Sequence, residues 1–431
     1  MAISQVFPRY RYDQQASGVC PYQISDTDIF GTFSSAAFSA NVPITTIVSG
    51  YSNTLSDEIF YISSSDKLFA VLANGPKSGT AIQSGSVLWT FSGFNGAGGT
   101  GKFGLVLSED GETIYCSPYY ESELPADDAC QLFAINTSDG TEKWRYEIHG
   151  SGSVPSAYRK RFIATNVIED ANGDIHFVIR NQNGNASRTA TYMNILRLNP
   201  SNGTQEDSLT YNDPTLIELE QVKFDAPFSI LTNEDKSKIY VAYYGSYQST
   251  FKSAIVEIDI DYSGMSEIVL STGSNEAINI KGLAYNFENN NIIYATTDKG
   301  LFKVNFGFGS QSWLYTGTNP SDISWTSPAI GSNDTIYYRA AEKLYAINSN
   351  GSLKWDTSIL PSDQAYVSPL MDTNNNIIMA SRNYGASPNV YVFSDNGTEA
   401  VIEDFFRIGD SNKRINLNPS LGNQFGSTSH I

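Results

Sequence analysis

Side chains able to act as nucleophile, base or metal ligand are few in this chain, so each can be weighed separately. The three histidines, His149, His176 and His430, lie far apart in the sequence. None has the spacing to a Cys, Ser or acidic residue that a zinc site or an activated nucleophile requires. The cysteines, Cys20, Cys116 and Cys130, form no CxxC pair. Cys116 and Cys130 flank a tyrosine-rich stretch, and a disulfide there would staple residues 119–128 if the compartment were oxidising and the Cβ geometry suitable. The adjacent carboxylates Asp127 and Asp128 lack an aromatic cleft and read as solvated. Asp170, Asn172 and Asp174 have the alternate spacing of a calcium loop, but the twelfth place is Asn181, so a polar turn is the expectation. We therefore expect no catalytic residue, no metal and no cofactor.

Residues suited to contact are more abundant. Tyr119, Tyr120 and Glu121 form one group, Arg180, Asn183 and Arg188 a second, and Tyr243, Tyr244 and Tyr247 a third. Tyrosines among adaptable polar neighbours suit protein or glycan partners, because a rigid amphipathic ring gives contact area at low entropic cost.

What positions these groups is a repeat. Seven segments alternate apolar and other side chains with the period of a half-buried strand: KLFAVL (67–72), QLFAIN (131–136), NILRLN (194–199), AIVEID (254–259), GLFKVN (300–305), KLYAIN (343–348) and NVYVFS (389–394). Downstream of each stands a glycine, at 85, 140, 203, 264, 309, 351 and 397, spaced by 55, 63, 61, 45, 42 and 46 residues. Such spacing fits one four-stranded blade per repeat, and glycine suits the positive φ of a tight hairpin. Four of the five tryptophans, Trp89, Trp144, Trp313 and Trp355, lie four residues beyond their glycine, where packing between blades is expected. Upstream, an Asp/Asn/Gly-rich turn precedes an Ile-led strand seven times, as in EDGETIYC and SNDTIYYR.

Each unit thus reads strand A, polar turn, strand B, loop, strand C, glycine turn, strand D. The expected fold is all-β, a single β-propeller of four-stranded antiparallel blades over residues 43–406. Seven blades are preferred, with eight as the alternative. Residues 1–42 form an irregular N-terminal segment. Residues 407–431 form a tail whose INLNPSLGNQ stretch resembles the start of a ring-closing strand or of an eighth blade.

In this topology the A–B and C–D turns share one face and the B–C and D–A loops the other. From the strand-B isoleucine to the strand-C anchor the count is 9 and 8 residues in blades 1 and 6, but 18, 20 and 16 in blades 2, 3 and 4. The three groups of contact residues fall within those three insertions, so the expected binding face is the B–C/D–A face.

The pairs KLYAIN–NGSLKW and QLFAIN–SDGTEKW resemble the repeat of the pyrroloquinoline-quinone-like propeller superfamily, over roughly residues 43–405. The resemblance implies a seven- or eight-bladed ring with strand A innermost. It also admits a quinone-dependent dehydrogenase activity, but the adjacent cysteine pair of those enzymes has no counterpart here. The non-enzymatic branch is the better match.

Composition narrows the partners. A net charge of −18 disfavours nucleic acid and anionic membrane surfaces, both of which select clustered Lys and Arg. The N-terminus has no apolar leader, with Arg9, Arg11 and Asp13 where one would lie, and no apolar run is long enough to span a bilayer. An exposed-protein composition without an export signal fits a subunit of a larger assembly, such as a virion or other extracellular particle. A periplasmic or cell-surface assembly scaffold is the alternative.

Overall fold

In the computed structural model, residues 44–407 are described except 53–56, 65–66, 73–86, 94–99, 119–129, 149–159, 164–166, 183–189, 212–229, 248–249, 272–277, 287–290, 316–326, 332, 341–342, 358–368, 372–374 and 382–388. They form seven antiparallel sheets whose four strands follow chain order. Blade 2 is representative: strand A (Thr100–Leu107), B (Thr113–Pro118), C (Cys130–Asn136) and D (Glu142–Ile148). In blade 3 strand A is broken into Lys160–Ile163 and Ile168–Glu169, both paired with strand B. Residues 1–43 and 408–431 lie outside the described residues, and the last strand, Ala400–Arg407, runs one residue into the expected tail.

The seven strand-C segments read from the repeat are all third strands. Glycine phasing holds at five turns: Gly140, Gly203, Gly309, Gly351 and Gly397 have φ from +58° to +97°. Blade 4 departs from it. Gly264 is not left-handed there; Tyr262 is, at φ +62°, donating its amide to Asp259 O. Gly85 lies outside the described residues, and its C–D connection spans 73–86, so the turn face is not uniformly short. The A–B turns place Gly111, Gly173, Lys236, Asn291, Asp334 and Asn375 at positive φ in blades 2 to 7. Two glycines and four residues of other types serve one geometric need, with Asn and Asp tolerating it best.

The core lies between sheets. Each of six described apolar clusters draws on two consecutive blades, for example Tyr115, Leu132 and Ala134 of blade 2 with Val167, Ile175 and Phe177 of blade 3. A row across strands B, C and D repeats at the seams: Tyr61–Ala70–Trp89, Tyr115–Ala134–Trp144 and Tyr337–Ala346–Trp355 are in register. The small alanine lets the flanking rings meet, with centroids 5.8, 5.9 and 5.8 Å apart.

Each indole then reaches the C–D turn of the next blade. Trp89 Nε1 donates to Thr137 O and Trp144 Nε1 to Pro200 O, both at 2.8 Å. A Cβ on Gly140 or Gly203 would stand 2.5 Å from the indole it faces, so glycine is required there by contact as well as by φ. At Trp355 the acceptor is Asp395 Oδ1, at 2.9 Å, and Asp395 also accepts from Tyr337 and Lys354. The side chain of Trp313 lies outside the described residues.

Candidate interaction face

The two faces differ in how far their hairpins extend. In blade 4, strands B (Lys238–Tyr247) and C (Thr250–Asp259) pair over ten residues, while strand D (Met265–Leu270) pairs only from Ser253 onward. The end of this hairpin is therefore a two-stranded ribbon beyond strand D. Blade 3 also has a long hairpin, strand B at Ile175–Gln182 and strand C at Ala190–Leu198, but there Lys160–Ile163 pairs along the end of strand B. In blades 5 and 6 strands B and C have only six and five residues, and the chain reverses at once.

The third group of contact residues thus lies on strand where a loop was expected. Tyr243, Tyr244 and Tyr247 all belong to strand B of blade 4, opposite Ala254, Ser253 and Thr250. Tyr243 is a correction: it is buried in the cluster between blades 3 and 4, and its hydroxyl donates to Glu267. It packs and cannot meet a partner. Tyr244 and Tyr247 continue the strand into the ribbon, and their side chains lie outside the described residues. Arg180 stands on strand B of blade 3 opposite Phe162 and Met193, its side chain likewise undescribed. Tyr119, Tyr120, Glu121, Asn183 and Arg188 lie outside the described residues, as do His149, His430, Asp127 and Asp128.

Cys116 is buried and free, and burial pushes its thiol well above the ordinary range. Its cross-strand neighbour is Phe133, three residues from Cys130. That offset is roughly 10 Å along a strand, beyond the reach of a disulfide. The staple across blade 2 is therefore disfavoured by register.

The acidic turn of blade 3 has an unexpected role. Asp170 Oδ1 accepts from the amides of Asn172 and Asp174 at 2.7 and 2.9 Å, which is turn chemistry. Asp170 Oδ2 pairs with His176 Nε2 at 3.2 Å, and His176 Nδ1 pairs with the Tyr262 hydroxyl of blade 4 at 3.0 Å. A carboxylate committed to three donors is poorly placed to ligate calcium. Among the described residues no three His, Cys, Asp or Glu side chains gather in a metal-binding group.

His176 is fully buried, and Arg197 and Asp207 continue its row across strands C and D. Arg197 lies over the Tyr262 ring at 5.8 Å and reaches Asp207 at 3.5 Å. His–Arg–Asp here occupies the register that Tyr–Ala–Trp occupies in blades 1, 2 and 6. Burial alone would raise Asp170, yet the bonds from His176 and the two amides hold it below the usual carboxylate range. Asp174 is raised by burial and by Asp170 and Glu206 nearby. Burial also lifts the Tyr262 phenol far above its ordinary value. Sequence reasoning, which saw only three scattered histidines, missed this clamp. Its signal was Arg197 and Asp207, charged where blades 1, 2 and 6 have Ala and Trp.

No family model and no curated protein matches this chain. Solved structures do. Prolyl oligopeptidase B from Galerina marginata, in a complex with a 35mer substrate, superposes with a TM-score of 0.50 at 12% identity, over 82% of this chain and 50% of that one. The Dos1 propeller gives 0.48 at 9% identity, over 88% and 90%. Dipeptidyl peptidase 4 of Porphyromonas gingivalis gives 0.48 at 9%, over 90% and 57%. The fold is a β-propeller. This chain spans about half the length of the two peptidases, and at such identities the likeness concerns fold alone. No helix among the described residues is long and apolar enough to cross a membrane.

Proposed function

We propose that this propeller is a non-catalytic scaffold that binds protein or glycan through its B–C/D–A face. The observation that carries the reading is the pair of long hairpins in blades 3 and 4, beside the 119–129 connection of blade 2. Insertions on one rim of a rigid ring present contact residues without disturbing the sheets. Tyr244, Tyr247 and Arg180 are on or near these ribbons, with Tyr119, Tyr120, Glu121, Asn183 and Arg188 in the neighbouring connections. Tyr243 is excluded by its burial.

Within this reading we place the chain as a structural subunit of a virion or other extracellular particle, on its acidic, tyrosine-rich composition. Membership of the pyrroloquinoline-quinone-like superfamily in its non-enzymatic branch is supported by the indoles seated on the next blade's glycine turn, where the repeat predicts packing.

The test is a glycan array together with binding to isolated particle proteins, using the full chain and its Tyr119→Ala/Tyr244→Ala variant. Binding reduced at least about tenfold with an unchanged melting temperature supports the face. Equal loss from substitutions in the A–B turns would show the wrong rim was chosen. Redox turnover with added quinone and calcium would replace the scaffold reading by an enzyme.

A further inference from the structure

Four Asn–Gly steps among the described residues lie in tight turns. Asn172–Gly173 is in the A–B turn of blade 3, and Asn202–Gly203, Asn350–Gly351 and Asn396–Gly397 are in the C–D turns of blades 3, 6 and 7. All four asparagines are exposed, and all four glycines are left-handed. Each glycine amide is held. Gly173 donates to Asp170 O, Gly203 to Asn199 O and Gly351 to Asn348 O, at 3.0, 2.9 and 2.8 Å, and Gly397 donates to Asp395 Oδ1 at 2.8 Å. What differs is the cover. A Cβ on Gly203 would run into the indole of Trp144, and one on Gly351 into the carbonyl of Leu314, each from strand D of the preceding blade. At Gly173 and Gly397 a Cβ would meet nothing within 4 Å.

We infer that the folded chain deamidates at Asn172 and Asn396, and that the blade seams keep Asn202 and Asn350 intact. Asn–Gly steps are susceptible because no Cβ shields the glycine nitrogen. That nitrogen, once its proton is lost to base, attacks the Asn Cγ. The N–Cγ bond forms, the Cγ–Nδ2 bond breaks and ammonia leaves. Water then opens the cyclic imide at either carbonyl, giving Asp or isoaspartate. The attack requires the turn to release the glycine amide and bring it to the side chain, so the rate follows local opening. An uncovered turn opens alone, whereas a covered one must first part from the strand D resting on it.

An Asp fits this kind of turn. Asp139 in blade 2 accepts from Thr141 N and Oγ1 at 2.9 and 2.7 Å, as Asn202 does from Thr204 at 2.9 and 2.8 Å. Isoaspartate instead lengthens the backbone by a methylene. At the two uncovered turns it does so beside the carboxylates that fasten seams: Asp170, which holds His176, and Asp395, which accepts from Tyr337, Lys354 and Trp355 of blade 6. Deamidation there loosens the seams between blades 3 and 4 and between blades 6 and 7 as the protein ages.

Incubation of the full chain at mildly alkaline pH, followed by digestion and mass spectrometry of the four peptides, tests this. Deamidation at Asn172 and Asn396 should run at least about tenfold faster than at Asn202 and Asn350, and in urea the four rates should converge. Trp144→Leu should raise the rate at Asn202 and leave that at Asn350 unchanged. Equal rates at all four sites in the folded wild type, or faster loss at either covered site, would overturn the inference. So would an Asn202 rate that Trp144→Leu does not move.

Discussion

The seam between blades 2 and 3 and the seam between blades 3 and 4 solve one problem with opposite chemistry. In the first, Trp144 crosses from strand D to sit on Gly203, with Tyr115 behind it and one hydrogen bond to Pro200 O. In the second, the row is His176–Arg197–Asp207, and the receiving turn offers Tyr262 instead of glycine. An aromatic seam gains from area and contact, and tolerates loss of its single hydrogen bond. A polar seam binds buried groups to one another, with His176 held between Asp170 and Tyr262, so removing that residue leaves two partners short. Both seams retain an apolar cluster beneath. The lesson is that the C–D turn of the next blade is the receiver in each case, whichever side chain arrives.

Removing the aromatic side should have the largest effect. Trp144→Ala is expected to cost about 3–5 kcal/mol of unfolding free energy, measured by urea denaturation. His176→Ala, which leaves Asp170 and Tyr262 without their shared partner, is expected to cost about 1–3 kcal/mol in the same assay. If the two losses came out reversed, the polar clamp would be the stronger fastening. Smaller still is the contrast between two left-handed glycines. Gly397→Ala meets nothing within 4 Å and should cost only the backbone penalty of about 1–2 kcal/mol, whereas Gly203→Ala adds a clash with the indole and should cost more.

The seams also differ in acid. Asp170 has a folded pKa depressed below its unfolded value, so its contribution is fully present above about pH 4 and is lost as pH falls through the lower folded value. Asp170→Asn should flatten stability against pH below about 4, while a substitution at Trp144 should lower the whole curve and keep its acid slope. An acid slope unchanged by Asp170→Asn would remove that carboxylate from the account.

Much of this was legible from residue order alone. Period-two segments, recurrent polar turns and phased glycines define strands because each reports local backbone geometry. The exceptions are instructive. Gly264 looked in phase, but a turn needs only one left-handed residue, and Tyr262 supplies it two places earlier, with His176 as the partner of its hydroxyl. Tyr243 was read as loop because the count from Ile239 to Ile255 measures only separation. A hairpin of two long strands and an insertion give the same count. The seam partners were hidden because they lie in different repeats, and only packing brings Trp144 to Pro200 or Tyr262 to His176.

The central claim is that the cross-strand row of one blade fastens onto the C–D turn of the next, and a double-mutant cycle between Trp144 and Gly203 tests it most directly. Because the penalty at Gly203→Ala arises from the indole, Trp144→Leu should relieve it, and the double variant should be more stable than the sum of the singles predicts by at least about 1 kcal/mol. Additivity within about 0.5 kcal/mol would mean the two residues do not touch, and would contradict the fastening.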